Sequence, residues 1–505
     1  MKAKEGKDKL FYVLLWVACA AFLLVFFTRI HRIGVFDSDD WTYIGYARDA
    51  LPNAKAWNPT RVFPEIFMPA VGAVAAFVVT PLTGDYLNSI TLTCAVVYSA
   101  CIASYILFFV WSANRAFQLN KWQTAVCALF FMTAHFWIFR VDYEANTFLF
   151  FSRNLTCIFY YTIPTFCNAA LVFLFEERPK FWDEICVGAK GGLLLVIYLA
   201  VYSNMFSSIV LVAYCGVVIL QRVIWASIRK KDRACFMPRL RDNLVYVGII
   251  GIWLISIMFE LNGGRAESVG TTGGIEGLRS AAHYLADSFA DTNSIFRLFA
   301  IVTGMLALAV AIYETAYRGK DTQRQKFLGK EFRFLLAAAV TALYQVLLCG
   351  VTSLSDYLNC ADVQISIYLF LLASLFYAAC YVLKRIPLYE ALLPVVLCVA
   401  VFNCNTQGKT YQDLYLRGVP EKTATAISWD IYQQIIDADQ RHLTKMDLYV
   451  PSFDNQGDNW PLSNYLGERM TMTLYKHGQI SRPIEITVVL DQEKNELYGI
   501  DASAD

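Results

Sequence analysis

Long apolar blocks alternate with short polar connections over residues 1–404. A helix needs roughly 20 apolar residues to cross a bilayer. By that measure the pattern predicts about eleven spans, near 10–30, 86–111, 122–139, 156–175, 185–203, 206–224, 243–260, 295–313, 333–353, 362–383 and 386–403. One block is too short. Ile66 to Thr80 follows Pro64, contains Pro69 and stops at Pro81. Counting it as a span would invert every later loop, so it is expected to lie flat in the interface. Residues 31–85 then form one long loop with two surface helices. The first is expected over Trp41–Leu51, where Tyr43, Tyr46, Ala47, Ala50 and Leu51 recur at helical spacing.

From Asn405 the pattern becomes that of a soluble domain. Glu421–Leu443 and Leu462–His477 read as amphipathic helices, and Asp447–Val450 and Ile484–Leu490 as strands. The predicted fold is an all-α polytopic membrane protein over 1–404, followed by a small α/β domain over 405–505.

Charge sets the expected orientation. Lys and Arg gather at the N-terminus, at 114–121, at 222–241, at 318–330 and at Lys384-Arg385. The alternate loops hold Asp, Asn, Gly and Ser instead. Basic loops favour the cytoplasmic side, so the N-terminus is expected inside and the C-terminal domain outside. The first block is expected to be a retained span. Apolar residues make up 57% of the chain and charged residues 17%, with a net charge of +1, which argues against a nucleic-acid partner. Most of the 14 cysteines lie inside apolar blocks and do not form a disulfide framework. A bridge between Cys360 and Cys404 is left open.

Candidate chemistry starts at Phe36-Asp37-Ser38-Asp39-Asp40-Trp41, three carboxylates at the end of the first span. Capping a following helix accounts for one or two of them. A carboxylate that takes a proton from an attacking hydroxyl is the functional reading. Arg61, ahead of Pro64, offers a donor fork for a phosphate or for lipid headgroups. The next external loop carries Asp142, Glu144 and Arg153, which could hold an acceptor or simply solvate the loop. The glycine-rich stretch from Glu260 to Ser294 reads as a mobile loop or a plain connector. Asp356 adds a weaker acid in a later loop, and His135 reads as structural.

The acidic stretch, the long loop with interfacial helices, Arg61 to Pro64 and the many spans ending in an external domain together resemble the GT-C class of membrane glycosyltransferases. The layout is similar to lipid A aminoarabinose transferases and protein mannosyltransferases. The acidic motif and size are closer to serotype-converting O-antigen glucosyltransferases. The resemblance implies a polyprenyl-phosphate-linked sugar donor, a cell-surface glycan acceptor, inversion at the anomeric carbon, and a site outside a bacterial cytoplasmic membrane. It implies Asp39 or Asp40 as base with Asp37 beside it, Asp142 or Glu144 as second-loop acid, and Arg61 or Arg153 on the donor phosphate. No metal is assigned, and a divalent ion is left open. The chain departs from the aminoarabinose transferase pattern by having Arg61-Val62-Phe63-Pro64 where a Lys-Pro-Pro stretch is expected. A transporter or flippase would bring repeats and midplane charges, which the sequence lacks. The pattern also admits a glycan polymerase or ligase, and a receptor built on the tail.

Overall fold

The computed structural model describes residues 2–36, 38–51, 58–139, 149–150, 152, 155–230, 236–262, 273–317, 321–352, 354–404, 421–451 and 466–500. Ten helices among them are long and apolar enough to cross a membrane. They begin with α1 (Asp8–Ile30), separated by the short α2 (Ser38–Gly45) from α3 (Val62–Thr83) and α4 (Tyr86–Phe117). The shorter α5 (Lys121–Trp137) precedes α6 (Leu155–Glu177), and the shorter α7 (Val187–Val201) precedes α8 (Met205–Ile228) and α9 (Leu244–Leu261). An amphipathic α10 (Gly274–Ala290) leads into α11 (Ser294–Tyr317), α12 (Thr322–Val351), α13 (Ala361–Leu383) and α14 (Pro387–Cys404). The chain is an all-α polytopic membrane protein.

Side chains punctuate these helices where the apolar runs begin. Asp85 caps α4 through the Asn88 amide, Asn120 and Gln123 form a capping box on α5, and Asn204 and Asp321 cap α8 and α12. Contacts between helix ends define two faces. At the lower face Lys121 pairs with Asp8 at 3.0 Å, and Asn114 donates to the Tyr12 hydroxyl. At the upper face Arg32, just past α1, bonds Asn88 at the head of α4.

The ten differ from the expected eleven in three places. The spans expected at 122–139 and 185–203 are the shorter α5 and α7, yet both run from face to face. Trp137 Nε1 donates to Asn403 Oδ1 at 2.8 Å, and the Tyr202 carbonyl accepts from Phe63 N. The third is α3, which is 22 residues long, not the short block of 66–80. Its prolines are absorbed locally. Pro64 sits in the first turn, where no donor is needed. Pro69 cannot bond the Glu65 carbonyl, which accepts from Arg48 N instead. Both ends of α3 nevertheless meet the upper face, at Ser203 and at the α1–α4 junction. The surface helix α2 is shorter than Trp41–Leu51 and starts earlier, so Asp39 and Asp40 occupy its first turn.

The centre of the bundle is α13, whose apolar window is 89% buried, against 17% for the peripheral α9 and α14. Aromatic rings fill the space around it. Phe109 stacks on Phe131 with centroids 3.9 Å apart, and Tyr105 on Phe166 at 4.6 Å. Lys330 is not in a basic loop but buried in α12. Its ammonium lies 3.1 Å from Glu176 and also bonds Glu177, while Arg333 Nε donates to Glu176 at 2.7 Å. Mutual pairing is what makes such charges tolerable inside a bundle. The stretch from Glu260 to Ser294, expected as a loop, contains α10. It crosses α12 backbone to backbone at Gly277 and Gly350, where a Cβ on Gly350 would stand 2.6 Å from Leu278 Cα.

The tail follows the predicted order through α15 (Glu421–Gln440), β1 (Lys445–Val450), α16 (Leu466–Lys476) and β2 (Glu485–Leu490), and adds a short α17 (Gln492–Tyr498) that the pattern does not predict. The strands pair in parallel, Lys445 with Glu485 through Val450 with Leu490. Ile427, Ile431 and Ile435 line the inner side of α15 with Leu448, Val450 and Leu474, and this apolar core continues into that of the bundle. The tail sits on the upper face, with Tyr432 stacked on Tyr86 at 5.7 Å.

Candidate functional site

The two described acids of the stretch Phe36–Trp41 have different surroundings. Adjacent positions in a helix point about 100° apart. Asp40 turns inward and is fully buried. Its Oδ2 accepts from Phe36 N at 3.0 Å, and its Oδ1 accepts from Thr156 N at 2.6 Å and from the Thr156 hydroxyl at 2.7 Å. It thereby ties the beginning of the first loop to the start of α6. Asp39 turns outward, half exposed, into a polar cavity of about 360 Å³.

That cavity is walled by the upper ends of α2, α6, α8 and α13. Tyr43 and Tyr160 form an aromatic side with centroids 4.8 Å apart, and Asp356 and Asp362 stand among its other lining residues. Asp362 opens α13 and takes a hydrogen bond from the Cys157 thiol. Cys360 is a free thiol, not a bridge, and burial pushes it up to about 12, so it is inert near neutral pH. Among the described residues no group of three or more His, Cys, Asp or Glu side chains could hold a metal ion.

Arg61 stands at a seam. With Tyr161 and Asn204 it lines both the polar cavity and a smaller, mostly apolar one of about 90 Å³, walled by Met205, Phe206, Leu261, Leu348 and Leu354 with Glu260 and Thr352. Its backbone is left-handed, with φ of 56°, an uncommon conformation for a residue with a Cβ. Ser203 O accepts from Arg61 N at 3.0 Å and helps hold it there, while Glu260 lies 3.9 Å from Nε. Asp37, Asp142, Glu144 and Arg153 lie outside the described residues. His135 is buried in α5, bonded to Phe131 O at 2.7 Å and to the Tyr105 hydroxyl at 3.1 Å, as a structural histidine.

Sequence reasoning missed Thr156, Tyr160, Asn204 and Asp362 of the cavity wall, and it missed a set of residues from the tail. On α16 and just past it, Arg469, Thr473 and His477 recur every fourth position on one side. Arg469 donates to Asp39, Thr473 to the Trp41 carbonyl, and His477 to the Ile44 carbonyl. The tail helix thus splints α2 along its length. Only the amphipathic spacing of 462–477 hints at a docking side. α2 also lies close to α3, where a Cβ on Gly72 would stand 2.6 Å from the Ile44 carbonyl.

His477 makes this joint pH-sensitive. With one ring nitrogen donating to Ile44, Nδ1 accepts from the Tyr86 hydroxyl at 2.6 Å, so the docked ring is neutral. Burial pushes its pKa down to about 4. An undocked histidine titrates near 6.5. The undocked state therefore takes up the proton first as pH falls, and docking is complete above about 6.5 and weakens towards 4. The expected loss approaches about tenfold per pH unit inside that window. Limited proteolysis of α16 against pH measures it, and His477→Gln is expected to flatten the dependence.

In comparison with known proteins, no family model matches the chain, and no curated protein and no solved structure matches it either.

Proposed function

We propose that the chain is a GT-C-like glycosyltransferase. It moves a sugar from a polyprenyl-phosphate donor to a cell-surface glycan such as an O-antigen, with inversion, on the outside of a bacterial cytoplasmic membrane. The observation that carries this reading is Arg61 at the seam between an acidic, aromatic-walled cavity and a mostly apolar one. An amphiphile whose sugar, phosphate and hydrocarbon follow one another matches that order of surfaces. The lower face carries the basic segments, so the upper face is assigned to the outside.

Asp39 is the base in this reading. It faces the cavity, whereas both Asp40 oxygens are engaged, Oδ2 by Phe36 N and Oδ1 by Thr156 at the start of α6. Asp39 takes the acceptor hydroxyl proton as that oxygen attacks the anomeric carbon. The leaving group departs as a phosphate, which needs cations more than an acid, and Arg61 supplies one. Tyr43 and Tyr160 give the sugar an apolar wall.

Glycan mass and linkage analysis of a deletion strain tests the assignment. Loss of a side-branch hexose, restored by the gene, is the expected result. Loss of the repeat-unit ladder would point to polymerisation, and an unchanged glycan would remove the proposal.

A further inference from the structure

The Asp39–Arg469 contact joins residues 430 positions apart, and it closes over the atom assigned as base. Three observations bear on what it does. Among the described residues the cavity lining holds Asp39, Asp356 and Asp362 against a single arginine, Arg61. An anion needs more positive charge than that. Arg61 also has Glu260 at 3.9 Å, which offsets part of its charge. The Arg469 guanidinium is a cation beside the lining, and its pair with Asp39 is partly exposed, 34% and 45% for the two side chains. Pairs this exposed are weak and exchange partners readily. Finally, Thr473 and His477 fix the backbone of α16 on α2 and α4. The long Arg469 side chain can therefore swing while its anchor stays still.

We propose that Arg469 is a transferable clasp. It holds Asp39 while the cavity is empty and passes to the donor phosphate when the donor binds, releasing the Asp39 oxygen to receive the acceptor proton. This rests on the transferase reading above. In the step that follows, a bond forms between the acceptor oxygen and the anomeric carbon. The bond from that carbon to the phosphate oxygen breaks, and its electron pair stays on the phosphate, held by Arg469 and Arg61. The hydroxyl proton goes to Asp39 and then to water. The donor itself uncovers the base, so the aspartate is engaged whenever no donor is present.

Binding measurements on the purified full chain separate this from a static salt bridge. The probes are a short-chain isoprenyl phosphate and the isoprenol of the same length, which lacks the phosphate. Wild type is expected to prefer the phosphate. Arg469→Ala is expected to lose about tenfold or more of that preference, with Arg469→Lys in between. Asp39→Asn removes the competing carboxylate, so phosphate binding is expected to tighten several-fold. The double variant should match Arg469→Ala. Unchanged isoprenol binding shows that the fold survives. If Arg469→Ala loses isoprenol binding too, the direction of the Asp39→Asn effect decides alone. A phosphate preference equal in wild type and Arg469→Ala, or weakened in Asp39→Asn, overturns the clasp and leaves the transferase reading standing. No phosphate preference in wild type overturns both.

Discussion

Replacing Asp39 with Asn is expected to lower the transfer rate by about 10²–10⁴, the range typical of losing a general base, while the protein stays folded. The carboxylate faces the cavity and its ion pair with Arg469 is partly exposed, worth at most about 1 kcal/mol. Replacing Asp40 is expected to do something else. Its oxygens accept from Phe36 N, Thr156 N and the Thr156 hydroxyl inside a closed core. An Asn amide presents a donor where one of these needs an acceptor. A buried unsatisfied group of this kind costs about 1–3 kcal/mol. Asp40→Asn should therefore lower the melting temperature, with lost activity following lost fold. Turnover of the purified variants, set beside their thermal melts, distinguishes the two. Full activity in Asp39→Asn, or a stable but inactive Asp40→Asn, would exchange their roles.

Truncation after Cys404 is expected to abolish transfer and to damage the first loop as well. Removing the tail uncovers Tyr86, buried under Tyr432 and His477, and withdraws the partners of Asp39, Trp41 and Ile44 on α2. An eight-residue helix is far below the length that stands alone in water. Its order depends on α3 below and α16 above. Activity of the truncated chain in native vesicles measures this, with hydrogen exchange over 38–45 reporting the helix. Transfer at the wild-type rate from the truncated chain would show that the tail is dispensable.

The same contacts explain what can be read from the sequence. The spans are legible because lipid demands long apolar runs. The tail's helices and strands are legible because each is a local amphipathic pattern. α3 is longer than its sequence suggests because three prolines look like breaks, although Arg48 and a first-turn position absorb two of them. Asp39 and Asp40 cannot be separated by sequence because the distinction lies in Thr156, more than a hundred residues away along the chain. Arg469 is invisible for the same reason. No local pattern marks a side chain whose partner is supplied by docking. Asp362 does carry a local signal: a carboxylate in the first turn of an apolar span is costly enough to suggest a purpose.

The splint between α2 and α16 has a consequence for exchanging parts between related chains. Gly45 lies against Thr473, where any Cβ would overlap the threonine side chain, just as Gly72 lies under Ile44 and His477. The first loop and the tail are therefore one heritable unit. A chimera that imports only the tail, or only the loop, would bring mismatched surfaces together at these glycines. Moving both together is the way to transplant specificity.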